Sequence, residues 1–199
     1  MVLTDKLITY FNKIMPLTDS EAQAIADSVC IGKYKNGDLL LKEGQIASEC
    51  YFVLKGCVRQ YYMIDGEEKT SNFYTEEQWV VSFTSFIQQQ PADHYLECIE
   101  DTILVVGNEQ REEDMYRANS KFETISRMVL EKIISEQQAL QARYVTDTPE
   151  QRYLHLLQSN PQLVQRVPLY QLASYIGVKP ESLSRIRKRI TDRSRTTKV

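Results

Sequence analysis

Long hydrophobic runs are absent from this sequence. The 199 residues contain no stretch of about 18 apolar residues, so no transmembrane helix is predicted. The segment from Met1 to Met15 mixes charged and polar side chains among its apolar ones, and it lacks the apolar centre of a signal peptide. We therefore expect a cytoplasmic protein with no membrane partner.

Clustered metal-binding and catalytic residues are also absent. The four cysteines, at positions 30, 50, 57 and 98, show no C-x-x-C spacing, and the two histidines, His94 and His155, lie far apart. No nucleophile motif accompanies them. The sequence therefore predicts reduced thiols, no metal, no cofactor and no enzymatic activity.

Positive charge is missing from one segment and concentrated in another. The interval Thr70 to Gln110 holds seven acidic residues and no Lys or Arg. From Asp147 to Val199 there are ten basic and four acidic residues, a net charge of +6, whereas residues 1–146 carry −9. A basic end on an acidic body favours a module that binds a polyanion.

Short apolar runs separated by turn signals fill the chain between about Lys33 and Gly107. The runs are rich in β-branched and aromatic residues, as strands are: Leu39–Leu41, Cys50–Leu54, Val58–Met63 and Ile103–Val106. Asp65-Gly66 lies between two of the predicted strands and is a hairpin signal. Many short strands predict a barrel or sandwich. Before them, Thr18 and Glu21 form a capping box that begins a helix.

A long helix without Pro or Gly is predicted from about Asn108 to Val145. Its apolar stripe has mostly helical spacing and consists of Phe122, Ile125, Val129, Ile133, Leu140 and Tyr144. The stripe could form a two-stranded seam between two copies of the chain, or it could pack on the chain's own barrel. Met128, Leu130 and Ile134 offer a second face, which would allow both. We favour dimerisation through the first stripe.

The C-terminal segment begins at Thr148-Pro149-Glu150-Gln151, where Thr148 is a predicted N-cap and Pro149 the first helical residue. This helix runs to about Ser159. The segment Leu169 to Ile190 then has the helix-turn-helix pattern, with Ala173 where two helices cross closely and Gly177 in the turn. The five expected core positions are all apolar: Leu172, Ile176, Val178, Leu183 and Ile186.

The second helix of this pattern carries polar side chains away from its core, and we predict that they bind DNA. They are Lys179, Glu181, Ser182, Ser184, Arg185, Lys188 and Arg189. Arg can bond to guanine and Glu can accept from cytosine, whereas Lys188 and Arg189 suit phosphate contacts. A three-helix bundle with a solvated basic face is the alternative.

The run Pro180-Glu181-Ser182-Leu183-Ser184-Arg185 closely resembles the recognition helix of the Crp/Fnr family of bacterial transcription regulators. Upstream, residues 34–38, Glu43-Gly44 and residues 51–59 look like that family's cyclic-nucleotide-type β-roll, and residues 65–68 like its hairpin turn. The resemblance implies a sensor roll, a dimer helix and a domain that binds a near-palindromic operator. It also implies that Glu181 and Arg185 are the main base readers.

The sequence departs from the cyclic-nucleotide members of that family. The stretch corresponding to their phosphate cassette, roughly Trp79 to Leu96, has neither a Gly-Glu pair nor an Arg, and Arg59 on another strand is expected to face solvent. A buried phosphate needs a paired charge or several donors. We therefore predict that cyclic AMP does not bind in the usual way. An effector site is predicted at Trp79, Ser82, Phe83 and Phe86, although packing in the barrel core is the commoner role of aromatic residues and is the favoured interpretation for these three.

These observations predict an α+β protein with a β-roll or jelly-roll sensor domain at 1–107, a dimerisation helix at 108–146 and a helix-turn-helix domain at 147–199. The wing is short or absent, because Thr191 to Val199 fits a frayed basic tail better than a hairpin. The predicted function is transcription regulation as a homodimer. Predicted partners are double-stranded DNA, RNA polymerase and an unidentified small-molecule effector. A ligand-binding regulatory module without DNA function is the alternative.

Overall fold

A computed structural model describes residues 4–196 as an α+β protein, in which the strands are grouped between helices at the two ends of the chain. The helices are Thr4–Ile14 (α1), Asp19–Ser28 (α2), Phe83–Gln88 (α3), Glu109–Ala118 (α4), Lys121–Thr146 (α5), Pro149–Ser159 (α6), Leu163–Arg166 (α7), Leu169–Ile176 (α8) and Pro180–Thr196 (α9). The strands are Cys30–Tyr34 (β1), Leu39–Leu41 (β2), Cys50–Lys55 (β3), Val58–Ile64 (β4), Glu67–Tyr74 (β5), Trp79–Val80 (β6), Tyr95–Cys98 (β7) and Thr102–Gly107 (β8).

The strands form two four-stranded sheets that make the predicted β-roll. Their orders are β1-β8-β3-β6 and β2-β7-β4-β5, so most neighbours are distant in sequence. Strand β8 pairs antiparallel with β1 and with β3, and strand β7 pairs antiparallel with β2 and with β4. The predicted fold class, a β-roll followed by a long helix and C-terminal helices, is confirmed.

Alternation along β3 divides the core into two layers, because successive side chains of a strand point to opposite faces. Tyr51 and Val53 belong to the cluster inside the roll, with Val58, Leu96 and Leu104. Phe52 and Leu54 belong to a second cluster, outside the roll. These four side chains of β3 are all buried, because the strand has helices on one side and the interior of the roll on the other.

The outer cluster joins β3 to three helices. Helices α1, α2 and α5 contribute its buried members, which are Leu7, Tyr10, Phe11, Ile25, Phe122, Ile125 and Val129. Aromatic rings fill the centre: Phe52 lies 5.0 Å from Tyr10 and 5.2 Å from Trp79 between ring centroids. The capping box predicted at Thr18 and Glu21 is confirmed, and Glu21 also accepts a bond from Lys121 Nζ at 2.6 Å, which ties α2 to α5.

The prediction of one helix from Asn108 to Val145 is wrong, because the chain breaks at Asn119. This residue has extended backbone angles, φ −160° and ψ 116°, and its N–H donates to Met115 O as α4 ends. Its Oδ1 then accepts from the Lys121 amide at 2.9 Å, so the same side chain begins α5. Asn119 followed by Ser120 is a helix-start signal that the continuous apolar and charged pattern concealed.

Two compact units emerge from the contacts within the chain. The first comprises the residues up to Tyr61 and Phe73–Gln137; the second comprises Tyr62–Asn72 and the residues from Gln138 onward. The second unit therefore includes the β4–β5 hairpin besides the C-terminal helices. In the described part of the chain, none of the helices has the length and apolar character needed to cross a bilayer.

Gly56, in the turn between β3 and β4, provides a test of the roll's packing. Its φ is +107°, and a Cβ there would meet Thr102 Oγ1 and lie 2.7 Å from Thr102 Cα. Gly37 is a matched control, with φ +89° and no atom within 4 Å of the place that a Cβ would take.

We expect both Gly56→Ala and Gly37→Ala to lose about 1–2 kcal/mol through the left-handed backbone. Gly56→Ala should lose about 1–3 kcal/mol more, because backbone atoms of β8 must move. Urea unfolding of both variants measures the difference. Equal destabilisation would contradict the close packing of this turn against Thr102.

Candidate DNA-binding site and cavities

Helices α8 and α9 are joined by a tight turn, as the sequence predicted. Gly177 has φ +81° and ends α8 in the left-handed region that glycine adopts without strain. Its N–H donates to Ser174 O at 3.0 Å, and the Val178 N–H donates to Ala173 O at 2.9 Å. These bonds satisfy carbonyls at the end of α8 and set the direction in which α9 leaves the turn.

The predicted core of this helix pair is nearly complete in the structure. Leu172, Ala173 and Leu183 are fully buried, and Ile176 and Ile186 are at most 7% exposed. Val178, the fifth predicted core residue, is partly buried. Because Ala173 has no accessible surface, a larger side chain has no room where the two helices cross.

Four of the seven predicted DNA-binding side chains share the exposed face of α9. Glu181 and Lys188 each lie three or four residues from the adjacent pair Ser184 and Arg185. All four residues are exposed, whereas Leu183 and Ile186 are buried. Arg185 Nε donates to Glu181 O at 3.4 Å, so its guanidinium lies along the helix surface. This face presents cationic, anionic and hydroxyl groups together.

The other three predicted residues lie at the edges of this face. Lys179 is exposed just before α9, and Ser182 is partly buried. Arg189 bonds through both Nε and Nη2 to Glu150, with 2.8 Å from Nε to Oε2. Arg193, one turn later, reaches the other carboxylate oxygen of Glu150 at 2.7 Å. Glu150 was not predicted, because its pairing with residues about forty positions away leaves no local signal.

The end of α9 differs from the prediction. Thr191–Thr196 continue the helix, so this part is not a frayed tail, and no strand follows α9 within residues 4–196. The remainder of the predicted tail, residues 197–199, lies outside the described residues.

The β4–β5 hairpin contacts α8 through one serine. Ser174 Oγ accepts a bond from the Thr70 amide at 2.9 Å and donates one to Glu68 O at 3.1 Å. Asp65, with φ 53°, and Gly66, with φ 78°, form the predicted turn of this hairpin. The sequence showed the hairpin but gave no reason to place it against α8.

The predicted dimer stripe on α5 divides into two parts. Phe122, Ile125 and Val129 are buried in the chain's own outer cluster, and Ile133 packs against it, so this part follows the alternative of a helix packed on its own roll. Leu140 is partly buried, and Tyr144 is 57% exposed. Ile134, from the second apolar face, is 48% exposed. A seam between two copies stays a prediction for the exposed part of α5.

Three of the four predicted effector residues line one cavity of about 430 Å³ in the first unit. Trp79, Phe83 and Phe86 belong to its wall, whereas Ser82 does not. The Ser82 hydroxyl is buried and makes no hydrogen bond within the described part of the chain. The cavity lies outside the roll, between β6, α3 and the outer helices.

A second cavity, of about 380 Å³, opens on the inner core of the roll. Leu41, Tyr51 and Leu96 line it together with Glu49, and none of its described lining residues is cationic. Tyr51 donates to Glu49 Oε2 at 2.9 Å. Burial, and this bond to a carboxylate, hold the pKa of the Tyr51 hydroxyl well above its ordinary value. The polar side chains of the lining are those of Glu49, Tyr51, Gln45 and Ser48.

Arg59 was predicted to face solvent, but it is buried. Its side chain is 1% exposed, lies 4.4 Å above the Tyr61 ring and has Glu97 at 3.5 Å. Arg59 and Glu97 are cross-strand partners of β4 and β7. Strand alternation alone could not reveal this, because the pairing partner was unknown.

Comparison with protein families and with solved structures agrees with this architecture. Residues 31–119 match the family described as cyclic nucleotide-binding domain. No curated protein matches the sequence significantly.

Solved structures of similar fold include a c-di-GMP-responsive global regulator, CLP, from Xanthomonas campestris, with 16% identity, TM-score 0.67, and coverage of 89% of this chain and 93% of that one. FixK2 from Bradyrhizobium japonicum has 16% identity, TM-score 0.65, and coverage of 83% and 86%. The catabolite activator protein of Thermus thermophilus has 16% identity, TM-score 0.55, and coverage of 93% and 88%.

The predicted resemblance is confirmed at the level of the fold: residues 31–119 match the cyclic nucleotide-binding domain family, and the chain has the fold of these solved regulators. Of these neighbours, CLP is named as a regulator and the Thermus thermophilus protein as an activator.

Ala173→Leu should destabilise the C-terminal helices, because three added carbon atoms must enter a fully buried helix crossing. Overpacking of this kind costs about 1–3 kcal/mol. Ala142→Leu, at an exposed position of α5, is the matched control. Thermal unfolding followed by circular dichroism should show a lowered midpoint for Ala173→Leu alone. An unchanged midpoint would mean that α8 and α9 do not cross closely in solution.

Proposed function

We propose that the protein is a sequence-specific DNA-binding transcription regulator that acts as a homodimer on a near-palindromic operator. The helix pair α8–α9 carries this proposal. It combines a close crossing at Ala173, a left-handed glycine turn and a solvent-exposed second helix with mixed polar groups. These are the features with which a helix-turn-helix places its second helix in the major groove.

The exposed face of α9 suits both base readout and phosphate binding. Arg185 has the planar donor fork that bonds two acceptors of guanine, and Glu181, one turn earlier, can accept from cytosine N4. Lys188 extends the face by one more turn and suits a phosphate. Glu150 holds Arg189 and Arg193 to the side of this face, so these arginines suit the flanking backbone better than base edges.

A homodimer would use the apolar side chains of α5 that the chain's own core leaves exposed. Ile134 is 48% exposed and Val145, eleven residues further along the helix, is 80% exposed. Two-fold symmetry would set two copies of α9 about 34 Å apart, in successive major grooves of one DNA face. That arrangement implies an operator with two inverted half-sites.

Control by cyclic AMP in the usual way is disfavoured by the electrostatics of the inner cavity. A phosphodiester placed there would face the Glu49 carboxylate without a described cation in the lining. Burying an anion beside another anion is unfavourable unless donors compensate for lost water. Contact with RNA polymerase and location in the cytoplasm stay predictions.

Selection from a random duplex DNA pool, using the purified full-length protein without added ligand, tests the DNA-binding function. We expect retained sequences to share a motif with inverted half-sites. Retention that is salt-sensitive but independent of sequence would oppose specific recognition by the ligand-free protein. No retention at low salt would favour the alternative, a regulatory module without DNA function.

Arg185→Ala and Lys188→Ala should have different effects on the selected motif. We expect Arg185→Ala to relax the preference at one base of each half-site, since a bidentate contact contributes about 1–3 kcal/mol of discrimination. Lys188→Ala should weaken all sequences alike. Arg117→Ala, an exposed arginine of α4, is the control and should change neither. A motif unchanged by Arg185→Ala would place α9 in a different register on the DNA.

Isothermal titration calorimetry with cyclic AMP tests the prediction for the roll. We expect no binding in the micromolar range, because the Glu49 side of the cavity repels the phosphate. Cyclic AMP should likewise leave the affinity for the selected DNA unchanged. Micromolar binding would show that the nucleotide uses donors other than a cassette arginine.

A further inference from the structure

We infer that the cavity between the outer face of the roll and the helices α1 to α5 is a binding site for a small, uncharged, mainly apolar molecule with two or three rings. This cavity lies outside the roll. It is separate from the inner cavity, which is lined by Glu49. The whole wall belongs to the first unit of the chain.

The size of the cavity supports this ligand class. Its volume is about 430 Å³, within the range of small-molecule sites. An apolar protein cavity of about 150 Å³ stays dry and accepts one benzene molecule. Roughly three times that volume suits a molecule of two or three rings.

Apolar and aromatic side chains from different elements converge on the space. Trp79, Phe83 and Phe86 approach it from β6 and α3. Leu7 and Phe11 approach it from α1, and the remaining aliphatic wall comes from α2, β8 and α5: Ile25, Val29, Val105, Val106, Val129, Leu130 and Ile133. Flat rings stack well against aromatic walls of this kind.

Three of the four charged residues of the wall are engaged with other groups of the protein, and the fourth, Glu123, is exposed. Arg111 Nη1 donates to Val106 O at 3.1 Å, and Arg127 Nη1 donates to Glu131 Oε1 at 2.8 Å. Glu112 accepts a bond from the Tyr116 hydroxyl.

Burial also raises the pKa of the Cys50 thiol, another wall residue, to about 12, so it is neutral at physiological pH. None of the four charged wall residues is buried, so a charged ligand inside the cavity would lose its hydration without meeting a buried charged group. An uncharged ligand avoids that cost.

Helix α5 supplies a continuous side of the wall, from Glu123 to Ile133. The same helix continues to Thr146, immediately before the start of the C-terminal segment. A ligand here would contact the element that leads to α6–α9. Its action as an effector of DNA binding rests on the proposed function, whereas its binding to the cavity does not.

Trp79 is the chain's only tryptophan, and it lines the cavity, so it reports directly on an occupant. We would titrate the full-length protein with N-phenyl-1-naphthylamine, an uncharged dye with a naphthyl and a phenyl ring. Saturable dye fluorescence with matching loss of Trp79 emission, through energy transfer, is the expected result. No DNA is needed, so failure of DNA binding would not affect the outcome.

Ser126 and Ser135 of α5 provide matched variants. Ser126 lines the cavity, and Ser135 is exposed and does not. Ser126→Phe should weaken dye binding at least about tenfold by filling the space, equivalent to about 1.4 kcal/mol. Ser126→Ala and Ser135→Phe should bind like the original protein.

Val29→Phe fills the cavity from α2 and is a second test if Ser126→Phe unfolds at a lower temperature. If Ser126→Phe and Val29→Phe both keep native circular dichroism and both still bind the dye with unchanged affinity, the proposal is overturned. Absence of saturable binding would overturn it as well. Dye binding that disappears as protein concentration drives self-association would assign the cavity to a second copy of the chain, and would also overturn it.

Discussion

The stripe of Phe122, Ile125 and Val129 packed against the outer face of β3 is the contact on which the first unit depends. A helix face can be buried against only one neighbour, and here the chain's own roll takes it. The amphipathic pattern is the same for a helix that packs in its own chain and for one that pairs with a copy. A contact between two copies along this part of α5 would therefore use the opposite side of the helix, where Ile134 remains exposed.

Local sequence signals predicted the local structure correctly at several positions. The capping boxes at Thr18 and Thr148 begin helices where expected, and Gly177 adopts the left-handed turn that its position required. The core of α8 and α9 was predicted residue by residue, because a short segment contains both helices and their crossing. The roll was predicted as a class of fold, because its strands are short, regular and separated by clear turns.

Contacts between distant segments could not be predicted in this way. Glu150 lies far from Arg189 in the sequence, and Arg59 meets Glu97 only through the pairing of β4 with β7. The break at Asn119 was missed for a different reason, because polar residues of a surface helix and of a short cap look alike. The two ion pairs determine which arginines are available for a ligand. The candidate site was therefore predicted less completely than the fold.

Ser174 has a consequence for the open edge of the second sheet. Strand β5 is the last strand in the order β2-β7-β4-β5, and an unpaired edge is a template for pairing with other chains. The Glu68 carbonyl and the Thr70 amide point to the same side of β5, and the single hydroxyl of Ser174 satisfies both, as a neighbouring strand would. One side chain of α8 thus takes the hydrogen bonds that a neighbouring strand would otherwise make along this stretch of β5.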